Sequence, residues 1–211
     1  MNLEKKKVLV LAPHTDDGEF GCGGAIVKLI MAESEIHYVA FSSCRASVPA
    51  GFSDDVLIHE VKSATKILGI MPQNLHILDY PVRQFARHRQ DILEDMVKYQ
   101  RELLPDLVFL PSVNDLHQDH HTVAMEGIRA FKQTTILAYE MPWNNITFST
   151  QAYVKLNQQH MDIKLKALNE YKSQSARPYA GKELVCGLAK ARGVSAGAEY
   201  AEAFEVVRLI L

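Results

Sequence analysis

Cysteine is scarce in this chain and never paired in sequence: Cys22, Cys44 and Cys186 stand far apart, with no CxxC motif. That excludes a disulfide framework and a cysteine-based zinc knuckle, and it points to a reducing, cytoplasmic setting. Long apolar runs are missing as well. No stretch of about 18 apolar residues is present to span a bilayer, and the residues before Val8 lack the apolar segment of a signal peptide. Neither sign of charge dominates: Lys and Arg total 23 against 25 Asp and Glu, for a net charge of −2. No global field therefore selects nucleic acid as a partner, and Lys5-Lys6-Lys7 reads as a solvated lead-in to the first strand. Internal repeats, low-complexity tracts and linkers are absent too. With 47% hydrophobic residues, 1–211 reads as one domain large enough for a real core.

What is present is an alternation of short apolar strands and amphipathic helices. Residues 6–12 form a continuous Val/Leu run, as expected of a parallel strand buried on both faces. Ile36–Phe41, Leu75–Leu78, Leu107–Leu110 and Thr135–Glu140 read as further strands. Between them, helical spacing covers Ala25–Ile30, then Val56–Leu68 with Ser53-Asp54-Asp55 as its cap and Gly69 as its stop, then Ile92–Leu104 ended by Pro105. A fourth helix follows His120. Later come helices around Met161–Ser173 and Lys182–Ala191, a Gly-rich stretch, and an apolar segment at Phe204–Ile210. This pattern predicts an α/β fold, a Rossmann-like three-layer sandwich with a mostly parallel central sheet.

Two polar clusters directly follow predicted strands. Pro13-His14-Thr15-Asp16-Asp17 comes after the first, and Asn114-Asp115-Leu116-His117-Gln118-Asp119-His120-His121 after the strand at 107–110. Open α/β sheets place their sites outside the carboxyl ends of the strands, so both clusters fall on one edge. An imidazole and a carboxylate suit Zn²⁺, and one further His completes a three-ligand set with an open position. Spacing alone does not say whether Asp16 or Asp17 is the ligand and which is free to act as a base.

Pro13-His14-Thr15-Asp16-Asp17 with Gly21-Cys22-Gly23-Gly24 resembles the opening A-H-P-D-D-E signature of the LmbE-like (PIG-L) N-acetylglucosaminyl deacetylases. His117-x-Asp119-His120 resembles that family's second motif, H-x-D-H. The likeness continues through Glu60 with Leu68-Gly69, Tyr171-x-Ser173-Gln174, Arg192-Gly193 and Tyr200-Ala201-Glu202-x-Phe204. The resemblance implies one Zn²⁺ per chain held by His14, Asp17 and His120, with Asp16 as general base on the attacking water. It further implies His117 as a protonated oxyanion stabiliser or acid, with Asp119 hydrogen-bonded to that imidazole. The implied activity is hydrolysis of the N-acetyl group of an N-acetylglucosamine-type conjugate. The alternatives are the same chemistry on another sugar-linked amide, or a non-catalytic sugar-binding relative. The partner is then a small amino-sugar conjugate, and homo-oligomers are compatible with a chain of this size. Thr15 stands where the signature has Pro, Gly18 where it has Glu, and Ser42-Ser43-Cys44-Arg45 lacks the Gly-Glu usual after the second strand.

Arg45, in that divergent loop, is a candidate for binding sugar hydroxyls or phosphate, and Tyr200 is a second substrate-side candidate. Trp143 and Phe148 flank Asn144-Asn145 as either a stacking platform or a packing anchor. Arg192, in a matched element, is either a further site residue or a salt-bridge partner for Glu199 or Glu202. Cys22 reads as a packing residue in a glycine turn, and His121 as a solvated neighbour. A dinucleotide-binding loop is excluded because Ile26 occupies the position of the third glycine in G-x-G-x-x-G.

Overall fold

The computed structural model describes residues 4–210. Its centre is a seven-stranded sheet in the order β3-β2-β1-β4-β5-β7-β6. Strands β1 (Lys7–Ala12), β2 (Glu35–Ala40), β3 (Leu75–Ile77), β4 (Leu107–Pro111) and β5 (Thr135–Tyr139) run parallel. Strand β7 (Tyr200–Arg208) lies antiparallel to β5, and β6 (Ala152–Leu156) antiparallel to β7.

Alternation along β1 sets the layers. Val8, Val10 and Ala12 join the core packed by α1 (Asp17–Met31), α2 (Val56–Leu68), α5 (Gln158–Leu168) and α6 (Lys182–Ala196). Leu9 and Leu11 face the opposite core, under α3 (Arg89–Leu103) and α4 (Gln118–Ala130). The expected three-layer α/β architecture is therefore what the chain adopts. Its edge differs, because β6 and the antiparallel pairing of β7 had no counterpart in the strand reading.

The glycine segment is not a turn. Helix α1 starts at Asp17 and passes through Gly21–Gly24, breaking only at Cys22 (φ −145°, ψ 21°). Gly21 is there for proximity, since a Cβ at that position would strike the Tyr139 ring. The break frees backbone groups on both sides, and one buried ion pair satisfies them. The Lys164 ammonium donates to Phe20 O at 2.7 Å, while Glu202 accepts from the amides of Gly24 (2.8 Å) and Ala25 (2.7 Å). Lys164 and Glu202 meet at 2.7 Å and are each about 5–6% exposed. Breaking such a pair leaves an uncompensated buried charge, at a cost of about 3–5 kcal/mol. Glu202→Gln should accordingly shift the urea midpoint by that equivalent; an unchanged midpoint would show that the kink does not depend on the pair.

Gly69 does end α2, in the left-handed region at φ +96°. Asp55 sits at the N-cap of α2 but makes no capping bond, because its carboxylate takes the Ser53 hydroxyl (2.5 Å) and His59 Nε2 (3.1 Å) instead. Helix α5 stops at Leu168 rather than Ser173. Glu60 accepts from Ser173 N at 2.8 Å and Ser173 Oγ at 2.6 Å, pulling that segment across to α2. Among the described residues, no helix is long and apolar enough to cross a membrane.

Candidate metal centre and pocket

The site lies where the sheet order reverses, at the carboxyl ends of adjacent strands β1 and β4. A crevice opens at such a switch point because the crossovers leaving the two strands diverge. Residues 13–17 leave β1 there, and residues 112–120 leave β4.

Three donor atoms converge. His14 Nδ1 is 3.2 Å from Asp17 Oδ2, His120 Nε2 is 3.2 Å from Asp17 Oδ2, and the two imidazole nitrogens are 3.2 Å apart. A tetrahedral site with bonds of about 2.0 Å has donor–donor edges of about 3.3 Å, so this triangle matches one of its faces. Each histidine is also gripped from behind by a carboxylate. His14 Nε2 meets Asp119 Oδ2 at 3.1 Å, and His120 Nδ1 meets Asp115 Oδ2 at 2.7 Å. Metal-binding histidines characteristically show this arrangement, which fixes the ring and raises its basicity. A looser grouping, His14, His117 and His120, has donors within 4.8 Å of one another.

The charges favour a cation. Burial disfavours imidazolium at His120, yet Asp17 and Asp115 overcome it and push the pKa up to about 10. Burial likewise opposes charge on His14, but Asp17 and Asp119 raise its pKa above the usual value. Asp17 is itself buried, and the facing imidazoles hold it well below the carboxylate range. A divalent cation answers the same field, with the imidazoles giving up their protons to bind it.

Asp16 is set apart from this triangle. It precedes α1, lines the cavity, and is pushed up to about 6 by burial and by the neighbouring Asp17 charge. His117 departs from expectation. Its Nδ1 caps α4 by accepting from Asp119 N at 3.2 Å, which requires that nitrogen unprotonated. Burial and the facing His14 and His120 lower its pKa to about 4. His117 is thus a neutral Nε2–H donor at neutral pH, not an imidazolium. Nor does the Asp119 carboxylate hold it; that carboxylate serves His14 and the amides of Arg83 (2.5 Å) and Phe85 (3.2 Å).

Thr15 is buried beneath the loop. Its carbonyl accepts from Tyr171 OH at 2.7 Å and Tyr38 OH at 3.1 Å, and both hydroxyls also contact Glu19. Burial pushes Glu19 up to about 8, so it keeps its proton at neutral pH and hydrogen-bonds as a neutral acid.

Above the triangle opens a cavity of about 320 Å³, within the range of small-molecule sites. Its walls include Trp143, Tyr179, Asn144, Gln174, Arg83 and Arg177. Trp143 stacks on Tyr179 with centroids 4.4 Å apart, so it packs and lines the pocket at once; Phe148 takes no part in the lining. Neither proposed substrate residue reaches this cavity. Arg45 is exposed in a short 3₁₀ turn, displaced because Cys44 and Ser47 face inward in its place. Tyr200 begins β7, packs against the core under α1 and bonds Gln158 at 3.0 Å. Arg192 pairs with Glu140, its Nε at 3.0 Å, rather than with Glu199 or Glu202. His121 is an exposed neighbour, bonded to Val113 O.

Asp115 was missed by sequence reasoning, although a signal existed. Its Oδ1 accepts from His117 N at 2.8 Å, the local Asx turn an Asp makes two residues before a helix cap. Asp115→Asn should weaken metal affinity about 10–100-fold while leaving the fold intact, as read by metal titration against a chromophoric chelator. Unchanged affinity would remove Asp115 from the site. Arg83 and Arg177 lie on irregular segments and Tyr179 in the single 3₁₀ turn Pro178–Ala180, so none of them carries a periodic signal.

Fold and site together define a Rossmann-like α/β protein with a candidate metal centre at its switch point. Residues 9–131 match the family PIG-L: GlcNAc-PI de-N-acetylase. The chain belongs to this PIG-L (LmbE-like) family. It is 29% identical over 178 residues to the uncharacterized deacetylase YaiS of Escherichia coli, across 81% of this chain and 92% of that one. It is 25% identical over 194 residues to the diacetylchitobiose deacetylase of Thermococcus kodakarensis, across 80% and 70% of the two chains. Among solved structures, the conserved protein TT1542 of Thermus thermophilus superposes with a TM-score of 0.80 at 23% identity, covering 98% and 96%. GalB, the 4-carboxy-2-hydroxymuconate hydratase of Pseudomonas putida, does so with 0.76 at 20%, covering 98% of each chain. At those identities the structural likeness is one of fold, and the fold by itself does not select the reaction.

Proposed function

We propose that this protein is a zinc-dependent hydrolase that removes the N-acetyl group from an N-acetylglucosamine-type sugar conjugate. The observation that carries this reading is the 3.2 Å donor triangle of His14, Asp17 and His120, backed by Asp119 and Asp115, with Asp16 beside it. His14, Asp17 and His120 would hold one Zn²⁺. Such an ion supplies Lewis-acid polarisation of the amide carbonyl and lowers the pKa of water toward about 7.

The chain's own groups do the rest. Asp16 takes a proton from the attacking water, for which a pKa of about 6 leaves it ionised at neutral pH. The His117 Nε2–H donates a hydrogen bond to the oxygen on which negative charge develops, and it needs no titration to do so. As the C–N bond breaks, Asp16 returns the proton to the departing amine, giving acetate and the free amino sugar. The buried Tyr38–Glu19–Tyr171 contacts fix the Thr15 carbonyl, and hence the peptide leading into Asp16. The deacetylase relatives support hydrolysis over hydration.

Amine release from N-acetylglucosamine derivatives tests this reading, on protein before chelation, after it, and after zinc add-back. Release abolished by chelation and restored by zinc is the expected result. Stoichiometric zinc without release from any derivative would move the chemistry to another sugar-linked amide. Failure to bind zinc would leave a non-catalytic sugar-binding protein.

A further inference from the structure

Glu205 is a buried acid that the proposed reaction does not use, about 7% exposed on β7. Strand alternation sends it to the face opposite Glu202, the acid that serves the break in α1. The sheet register places Glu205 beside Ala138 of β5, and Ala138 beside Leu110 of β4. Alanine in the middle of that row leaves room for the longer side chain to cross β5. It reaches Ser112, the residue after β4, whose hydroxyl donates to Glu205 Oε2 at 2.6 Å. The other oxygen, Oε1, accepts from Ser149 N at 3.1 Å and from Asn114 Nδ2 at 3.4 Å. A buried acid is ordinarily paired with a cation, whereas all three donors here are neutral.

Both segments gripped by Glu205 lead into the site. On one side, Ser112 Oγ accepts from Asn114 N at 3.1 Å and Ser112 O from Asp115 N at 3.2 Å, which closes the turn carrying Asp115. Asp115 in turn accepts from His117 N at 2.8 Å and meets His120 Nδ1 at 2.7 Å. The path from Glu205 to the ring of a proposed metal ligand thus runs through Ser112 and Asp115. On the other side, Ser149 belongs to the connection between β5 and β6, whose Trp143 and Asn144 line the cavity. The two segments also meet directly. Asp115 and Asn145 form an isolated antiparallel bridge, and Leu116 N donates to Asn144 O at 3.1 Å.

We infer that Glu205 is a positioning residue for the reaction, stapling the turn after β4 to the loop after β5 so that Asp115, His117 and Trp143 share one arrangement. The inference rests on the zinc-hydrolase reading for what these groups do once placed. Glu205 is not among the residues lining the cavity, so its contribution passes through the groups it holds. Its two oxygens act separately: Oε2 controls the metal side through Ser112, and Oε1 controls the wall through Ser149.

The experiment compares the full chain as wild type, Glu205→Ala, Glu205→Gln and Ser112→Ala. Zinc affinity is measured by competition with a chromophoric chelator, and the wall by the emission of Trp143, the only tryptophan in the sequence. Urea midpoints report stability. Glu205→Ala should weaken zinc binding about tenfold, the lower end of the range for hydrogen-bond partners behind a metal ligand. It should also move the Trp143 emission to longer wavelength as the wall loosens. Ser112→Ala should weaken zinc to a similar degree with the emission unchanged, since the Ser149 contact survives. Glu205→Gln keeps an oxygen for Ser149 N but turns its amide toward Ser112. Its emission should return to the wild-type position while zinc affinity recovers only in part. If Glu205→Ala does not fold, Ser112→Ala and Glu205→Gln decide by the same readings. A lowered urea midpoint with wild-type zinc affinity and emission would make Glu205 purely structural and overturn the inference, as would wild-type zinc affinity in Ser112→Ala. Wild-type protein that binds zinc yet releases no amine from any derivative would overturn the hydrolase reading alone, because affinity and emission are read without turnover.

Discussion

Asp16→Asn is expected to lower turnover about 10²–10⁴-fold, the range a positioned general base contributes, while zinc content stays at the wild-type level. Two features separate this carboxylate from its neighbour. Asp17 is pinned between His14 and His120 at 3.2 Å from each, whereas Asp16 faces the cavity. Burial and the Asp17 charge place the Asp16 pKa at about 6. Because the base works only when ionised, kcat/KM should fall as pH drops below about 6 and level off above it. The variant should lack that acidic limb altogether. Wild-type turnover in Asp16→Asn, or an acidic limb that persists unchanged, would remove Asp16 from the proton transfer.

The second large effect is on the metal itself. His14→Ala should come off the column with zinc near zero and turnover at background, since it removes a corner of the donor triangle. His117→Ala should keep zinc and lose about 10²–10³-fold in turnover, the effect of deleting one oxyanion donor. Elemental analysis of the two variants, together with Asp17→Asn, decides between the two donor groupings. If His117→Ala loses zinc while Asp17→Asn retains it, the ion is held by three imidazoles and Asp17 is the spectator.

Much of this architecture was legible in the residues. Strand β1 announces itself because a buried parallel strand has no polar face to hide, and its continuous Val/Leu run ends at His14. The two polar clusters fell on one edge because the strand direction of a parallel sheet is fixed once its crossovers are helical. Partnerships across long separations were not legible. Asp119 was assigned to His117, two residues away, but its carboxylate reaches His14, 105 residues away, because the start of α4 points it back under β1. Arg192 was matched to nearby acids for the same reason and in fact reaches Glu140. The glycines of α1 were read as a turn because their role is proximity to Tyr139, which lies 118 positions on and leaves no trace in local pattern. Strand β6 was missed because its exposed and half-buried positions dilute the apolar signal.

The interrupted first helix also dictates a timetable. Phe20, Gly24 and Ala25 leave the ribosome long before the groups that complete them, which sit at positions 164 and 202. Until β7 is added at the sheet edge, the break in α1 has bare amides, and a continuous or frayed helix is the cheaper local state. The helix that follows the loop bearing His14, Asp16 and Asp17 is therefore completed by contacts that span most of the chain. A polypeptide released before residue 202 would carry both sequence motifs yet lack the anchor that sets the first of them in place.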